Sequence, residues 1–381
     1  MAAHVDKASN IPDMASSGEI LSTKYCIISR VGSGAFGQVY KAEILKGNEE
    51  KERIICAIKI EHYKAKRKVL QTEALIMEKL QDHPVFMKIY DYERILNKYY
   101  YVVMELATMN LKEFASRQPN KVLSEIQGGN AMMKLISAIE YMHSTGFVHR
   151  DIKTGNIVTM KSESLDDPCL KIIDLGLARR ILEPDNSLRE KRPDGKVPFR
   201  GTKVYASINQ LEKNDFSRAD DMINLFNSTL GVTMRIQLPW SKVEEVDKQI
   251  ELRRTFEIRD TRNPGSLYET TYQRFWKEIS NLEYEDTPKY AKCIELFRPL
   301  SGKKSVSDRH VMLGVKKKNN KTINPNVANG DKSETNPDIP KFNGDNNMRD
   351  IDKNKSNTLS GGWPIPNLRI NLEKFICTAN R

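Results

Sequence analysis

The chain has 381 residues, 39% of them hydrophobic, which is too long for one small domain and enough to bury a sizeable core. It holds 61 Lys and Arg against 50 Asp and Glu, a net charge of +11, but residues 301–381 alone hold 15 basic against 8 acidic residues, so the basic bias sits in the tail. No apolar run reaches membrane-spanning length, the start MAAHVDKASNIPDMASSGE has neither a secretory nor a Met-Gly pattern, and five cysteines without CxxC spacing suit a reducing compartment and no zinc site.

Residues 1–20 are polar and read as a flexible N-terminus. Tyr25–Val31, Gln38–Ile44 and Arg53–Ile60 are β-branched or apolar runs separated by Gly-rich or charged turns, with residues 47–52 as a charged hairpin tip, and they predict strands. Over residues 66–80 the period becomes helical, with Val69, Leu70, Ala74, Met77 and Leu80 on one side, until His83-Pro84 stops it. Two further strands, 86–95 and 99–106, complete a small β-rich lobe over about 21–106. Cys26, Cys56 and Cys169 adjoin apolar runs and read as small buried hydrophobes.

After Asn110 the chain reads as helical. Residues 124–145 carry the stripe Met132, Met133, Leu135, Ile136, Ile139 and Met142, and Gly128-Gly129 are expected to weaken the first turn. The segment 220–233 is apolar on most sides, as a helix buried all round requires. Amphipathic stretches follow near 242–256, 267–282 and 287–299, and there is no internal repeat. These predict a larger helical lobe over about 107–300. Beyond Ser301 the chain is rich in Lys, Asp and Gly, and Asn makes 14 of 81 residues, too polar to offset its ordering entropy. This basic tail is expected to be disordered, except for an apolar stretch at 365–376. The expected class is α+β, two-lobed, with a low-complexity tail.

The most informative motif is His149-Arg150-Asp151-Ile152-Lys153-Thr154-Gly155-Asn156, followed by Asp174-Leu175-Gly176. It combines a candidate base (Asp151), a phosphate-facing cation (Lys153) and two oxygen metal ligands (Asn156, Asp174), the set that protein kinases use to transfer a phosphoryl group from ATP with Mg²⁺. Gly32-Ser33-Gly34-Ala35-Phe36-Gly37 lies between two strands, where a dinucleotide fold would need a helix to follow. Its backbone can approach phosphates closely, and Val39 can press on adenine. Ala57 and Lys59 end the third strand, and Lys59 would reach the α- and β-phosphates, held by a glutamate. Of Glu73 and Glu78, Glu73 shares the inward face of Leu70, Ala74 and Met77. Met104 ends the fifth strand and would line the pocket behind adenine. Glu105 and Ala107 would bond the base through their backbones, and Val158 is a further candidate ATP contact.

Gly201-Thr202-Lys203-Val204-Tyr205-Ala206-Ser207-Ile208-Asn209 has Ser-Ile-Asn where most protein kinases have Ala-Pro-Glu. With PFRGTKVYAS, the Asp220-Asp221 pair and Leu238-Pro239-Trp240, residues 20–300 resemble the casein kinase 1 group. YVVMEL, FVHRDIKTGN and DDMINLF look most like its tau-tubulin kinase branch. The resemblance implies the two-lobed kinase fold, ATP with Mg²⁺, and transfer to Ser/Thr. It implies that Asp151 is the catalytic base, that Lys153 and Lys59 contact phosphates, and that Asn156 and Asp174 bind metal. It also implies that Thr202 bridges Asp151 and Lys153 and that Asp221 anchors the catalytic-loop backbone. Departures are Leu175 for the usual Phe, Thr154-Gly155 where a Pro and a small or acidic residue are usual, and Asn209, which removes an ion pair.

Arg150 is of the kind that binds a phosphorylated activation loop, yet between Asp174 and Ala206 the hydroxyl residues are only Ser187, Thr202 and Tyr205. Activity without loop phosphorylation is therefore expected. The same loop carries Arg179, Arg180, Arg189, Lys191, Arg192, Lys196, Arg200 and Lys203, either a solvated charged loop or an anion site favouring acidic or already phosphorylated substrates. Two competing readings remain: a nucleotide-binding pseudokinase scaffold, and a tail that binds nucleic acid. The sparse aromatics of the tail give base stacking little support. A further expectation is that the 365–376 stretch folds back and restrains the enzyme. Protein substrates, no specific nucleic acid, no membrane, a monomer, and a cytoplasmic setting with access to the nucleus complete the expectations.

Overall fold

The computed structural model describes residues 13–34, 37–45, 53–65, 68–95, 98–162 and 164–302. The tail, with its 365–376 stretch and Cys377, lies outside these residues, as do Ala35, Phe36 and the whole hairpin tip at 47–52.

Six strands make one antiparallel sheet: β1 (Ile20–Leu21), β2 (Tyr25–Gly34), β3 (Gly37–Ile44), β4 (Ile54–His62), β5 (Ile89–Ile95) and β6 (Tyr99–Met104), in the order β1-β2-β3-β4-β6-β5. Helix α1 (Leu70–Lys79) packs on one face. The sequence of β6, YYYVVM, is apolar at every position because both its faces are covered. Tyr100, Val102 and Met104 join the core beneath α1, while Tyr99, Tyr101 and Val103 join Tyr25, Tyr40, Ile58 and Ile60 on the other side. That division follows the two-residue alternation of a strand.

The remainder is largely helical. In order come β7 (Met109–Asn110), α2 (Leu111–Ser116), α3 (Glu125–Ser144), β8 (Phe147–Val148), β9 (Ile157–Thr159), β10 (Leu170–Ile172) and β11 (Arg179–Arg180). They are followed by α4 (Ile208–Leu211), α5 (Arg218–Thr233), α6 (Val246–Arg254), α7 (Leu267–Ile279) and α8 (Tyr290–Phe297). Helix α3 starts in a capping box, with Ser124 and Gln127 each bonding the other's backbone N–H. Helix α5 is buried on nearly all sides, as its composition predicts. The short strands form two small ladders, β10-β9-β7 and β11-β8, that hold the loops of the site.

Four expectations need correction. The flexible N-terminus does not extend to residue 20: from Asp13 onward the chain is docked. The Met14 N–H donates to Gln38 Oε1 at 2.8 Å, and Ala15 is buried. Gly128 and Gly129 serve packing rather than weakening a turn. A Cβ on Gly128 would lie 1.9 Å from the Tyr268 hydroxyl, and one on Gly129 2.6 Å from the Ser301 backbone nitrogen. The strands expected at 86–95 and 99–106 are shorter; Phe86 makes only an isolated bridge to Ile172, and Glu105-Leu106 leave the sheet. Cys26 and Cys169 are only half-buried, whereas Cys56 and Cys293 are enclosed.

Candidate active site

Strand β4 presents Lys59 to the space under the sheet. Its Nζ lies 2.7 Å and 2.9 Å from the two carboxylate oxygens of Glu73 in the first turn of α1, and 3.4 Å from Asp174 Oδ1. Among the described residues no bond joins Lys59 to Glu78. Burial alone would lower the Lys59 ammonium, but Glu73 and then Asp174 more than offset this and leave it above the ordinary lysine value.

The loop between β8 and β9 hangs on one carboxylate. Asp221 of α5 is fully buried and accepts from the backbone N–H of His149 at 2.7 Å and of Arg150 at 2.9 Å. His143 Nε2 lies 2.9 Å from the same side chain. Two donors from adjacent residues force a sharp turn, and Arg150 takes a left-handed φ of 71°. His149 Nδ1 accepts from the Asp151 N–H, so its proton is on Nε2, which donates to the Ile173 carbonyl at 3.1 Å. The imidazole thereby ties the loop to the segment carrying Asp174.

Asp151, Lys153 and Thr202 meet. Lys153 Nζ donates to Asp151 Oδ2 and to Thr202 Oγ1, both at 2.8 Å. Asn156 Nδ2 donates to the Asp151 carbonyl at 3.0 Å and to Asp151 Oδ2 at 3.3 Å. The amide nitrogen of Asn156 is thus committed, which leaves its oxygen for another partner. The Asn156 carbonyl accepts from Ile173 N–H at 2.9 Å, setting Asp174 beside it with a left-handed φ of 64°. One amide oxygen and one carboxylate form an all-oxygen donor pair, which fits a hard divalent cation completed by phosphate and water oxygens. Among the described residues no cluster of three or more His, Cys, Asp or Glu could hold a metal without such help.

The two residues that depart from the usual pattern are accommodated. Thr154 is buried and its side chain bonds Tyr205, while a Cβ on the exposed Gly155 would meet nothing nearer than Lys153 Cε at 3.8 Å. Leu175 is enclosed and, with Glu73, Met77, Phe86 and Met104, leaves a space of about 20 Å³, roughly one water.

Ala57, Met104 and Val158 belong to one buried cluster, with Val39 packed against it, so apolar residues of both lobes meet there. Ala57 pairs with Met104 across β4 and β6. Beyond Met104, the Glu105 N–H donates to the Lys88 carbonyl at 3.1 Å, so of its backbone only the carbonyl remains to face a ligand. The Glu105 side chain turns away, accepting from Lys171 Nζ at 3.0 Å. Ala107, half-buried, follows. In the Gly-rich segment, Gly32, Ser33 and Gly34 of β2 pair with Val39, Gln38 and Gly37 of β3. Gly37 has φ 142°, and a Cβ there would fall 2.1 Å from the Ile60 carbonyl. Ala35 and Phe36, at the tip, lie outside the described residues.

Several organising residues escaped the sequence reading. Asp215, buried, accepts from Arg179 Nη1, from Arg192 Nη2 at 2.8 Å and from the Arg192 N–H at 3.0 Å. Arg253 of α6 stacks on Trp240, 4.3 Å from the ring centre, and donates to the carbonyls of Lys203 and Ala206 at 2.8 Å and 3.1 Å. Asn209, at the missing ion pair, instead donates to the Asp215 carbonyl and to Asp220 Oδ2, both at 2.9 Å. Lone charges in amphipathic runs carry no sequence signal that separates them from solvated ones.

Comparison with known proteins agrees with this geometry. The protein kinase domain family matches residues 25–303. A Dictyostelium discoideum protein described as a probable serine/threonine-protein kinase is 30% identical over 273 residues, covering 72% of this chain and 52% of the relative. A casein kinase 1-like protein of Oryza sativa subsp. japonica is 28% identical over 284 residues, covering 72% of this chain and 39% of the relative. The chain thus spans about half or less of the length of these relatives. No helix among the described residues is long and apolar enough to cross a membrane.

Proposed function

The chain belongs to the protein kinase family, and from that premise we propose that it transfers the γ-phosphoryl group of ATP to serine or threonine hydroxyls of protein substrates. The observation that carries the reading is the joint placement of Asp151, Lys153 and Thr202, with Asn156 and Asp174 alongside. Asp151 accepts from the incoming hydroxyl and orients it. Lys153 spreads charge over the transferred group, and Thr202 holds both in register. Lys59, steadied by Glu73, takes the α- and β-phosphates. Ala57, Val39 and Val158 sandwich adenine, the Glu105 carbonyl and the Ala107 N–H bond its edge, and Met104 closes the rear. Mg²⁺ suits the Asn156–Asp174 oxygens and, when bound, neutralises phosphate charge. Incubating purified protein with labelled ATP, Mg²⁺ and a degenerate peptide array tests this. Label on Ser and Thr, lost with chelator, is expected; label confined to Tyr, or none, overturns it.

Membership of the casein kinase 1 group rests on Ser207-Ile208-Asn209, whose Asn209 donates to the Asp215 carbonyl and to Asp220 Oδ2, and closeness to its tau-tubulin kinase branch rests on YVVMEL, FVHRDIKTGN, PFRGTKVYAS and DDMINLF. The 28% identity to a casein kinase 1-like protein supports the group.

Independence from loop phosphorylation has a physical basis in Asp215. Burial would raise its carboxyl, but Arg192 and Arg179 override this and hold it below the ordinary aspartate value. Burial, then the like charges of Arg179, Arg192 and Arg200, lower Arg150 to about 10. A built-in carboxylate thus occupies the arginine cluster that a loop phosphate would otherwise fill. Its depressed pKa means the contribution is complete above the ordinary value of 3.8 and fades only as pH falls through the lower folded value. Phosphatase-treated protein should keep its activity, whereas Asp215→Ala should lose about tenfold or more, since it leaves two arginines unpaired. Substantial loss on phosphatase treatment, or an unimpaired Asp215→Ala enzyme, contradicts this.

The basic loop is also less exposed as a charge than its letters suggest. Arg179 and Arg192 are paired with Asp215, Arg189 with Glu183 and Lys191 with Asp194. Lys196, Arg200 and Lys203 have no ion pair among the described residues, and the preference for acidic or phosphorylated substrates rests on them. Equal rates on primed and unprimed peptides would refute it.

Gly155 should tolerate a side chain. Gly155→Ala is expected to retain phosphate transfer and to gain about 0.4–1 kcal/mol in urea unfolding, because only the unfolded chain loses freedom.

A further inference from the structure

Helix α1 begins without a cap of its own. Its N-cap is Val69, whose side chain cannot accept a hydrogen bond, so the first-turn amides need a partner from elsewhere. That partner is Glu61 of β4. Glu61 Oε1 accepts from the Val69 N–H at 2.9 Å and from the Leu70 N–H at 3.3 Å. The side chain is 2% exposed, and Oε2 has no hydrogen-bond partner among the described residues. A carboxylate held this deep, with one oxygen serving two amides, is an expensive way to start a helix. Its placement supplies a reason. Glu61 is two residues from Lys59, on the same face of the same strand. Lys59 grips Glu73 in the first turn of the helix whose entry Glu61 holds. One strand therefore fastens one helix at two points, at its entry and one turn in.

We propose that Glu61 is a positioning residue, which seats the N-terminus of α1 and so keeps Glu73 within reach of Lys59. This rests on the reading of Lys59–Glu73 as the pair that orients the nucleotide phosphates. Without the clamp, the α1 entry is free to shift away from β4. The loop before it is no substitute, because the described residues between His62 and Val69 give α1 no other side-chain acceptor. Two oxygens of a carboxylate are not required for the role; one acceptor at the Oε1 position suffices.

The test compares Glu61→Ala and Glu61→Gln in the full chain. Each is also made in a Glu73→Gln background, with kcat, KM for ATP, equilibrium ATP affinity and thermal midpoint measured for all. Glu61→Ala is expected to lower kcat/KM about tenfold, the worth of a hydrogen bond to a charged acceptor. Glu61→Gln, whose amide oxygen still accepts, should recover most of that. In the Glu73→Gln background the Glu61→Ala loss should largely vanish, because both changes act through the same pair. A purely structural cap would lower the thermal midpoint equally in both backgrounds and leave kcat/KM per folded molecule unchanged, which overturns the proposal. So does Glu61→Ala with wild-type kinetics. If the unmutated chain binds ATP but transfers no phosphate, the kinase reading fails; the ratio of ATP affinities between the two backgrounds still decides the role of Glu61.

Discussion

Asp151→Asn is expected to lower phosphate transfer by about 10²–10⁴-fold while leaving ATP affinity and the thermal midpoint near their original values. The substitution keeps the shape and one acceptor oxygen, so Lys153 Nζ and Asn156 Nδ2 retain a partner at the present distances of 2.8 Å and 3.3 Å. What disappears is the negative charge that draws the substrate hydroxyl into line. Single-turnover measurement with pre-bound ATP isolates that step. If the transfer rate were unchanged, Asp151 would not be the group that faces the hydroxyl, and a nucleotide-binding scaffold would become the better description.

Asp221→Ala is expected to damage stability and activity together. The carboxylate is fully buried and gathers the N–H groups of His149 and Arg150 with His143 Nε2, at 2.7, 2.9 and 2.9 Å. Truncation leaves two amides without an acceptor and removes two of the bonds that hold Arg150 in its left-handed conformation. A loss of about 3–5 kcal/mol in urea unfolding is expected, as for other broken buried networks. The transfer rate of the remaining folded protein should also fall, since Asp151 is the next residue along. A variant with unchanged unfolding and unchanged kinetics would show that the loop is held elsewhere.

Much of the site was legible because its chemistry is local in sequence. Asp151, Lys153 and Asn156 fall within six residues, and the helical period alone placed Glu73 on the inward face. The lobes were legible from the short apolar runs of the strands, such as β6, the helical period over 66–80, and the nearly all-round apolar character of α5. What was not legible depends on distant partners. Asp215 reads as a lone acid in a polar run, and only the folded chain brings Arg179 and Arg192 to it. Glu61 looks like an ordinary strand-end charge until Val69 and Leu70 return to it. Two-residue strands such as β7 and β8 show no period at all. Gly128-Gly129 were misjudged because glycine's local weakness in a helix is visible in the letters, whereas Tyr268 and Leu300, which fill the notch, are far along the chain.

That notch also sets an order of events during synthesis. Helix α3 ends at Ser144, but the residues that fill its glycine groove include Leu300 and Ser301. At about 5–20 residues per second, the ribosome adds the intervening stretch in about 8–30 s. Throughout that interval the part of α3 around Gly129 lacks its final cover, and the C-terminal lobe is not closed. The nascent chain should therefore be most vulnerable to aggregation, and most dependent on chaperones, between completion of the β-rich lobe and arrival of α8.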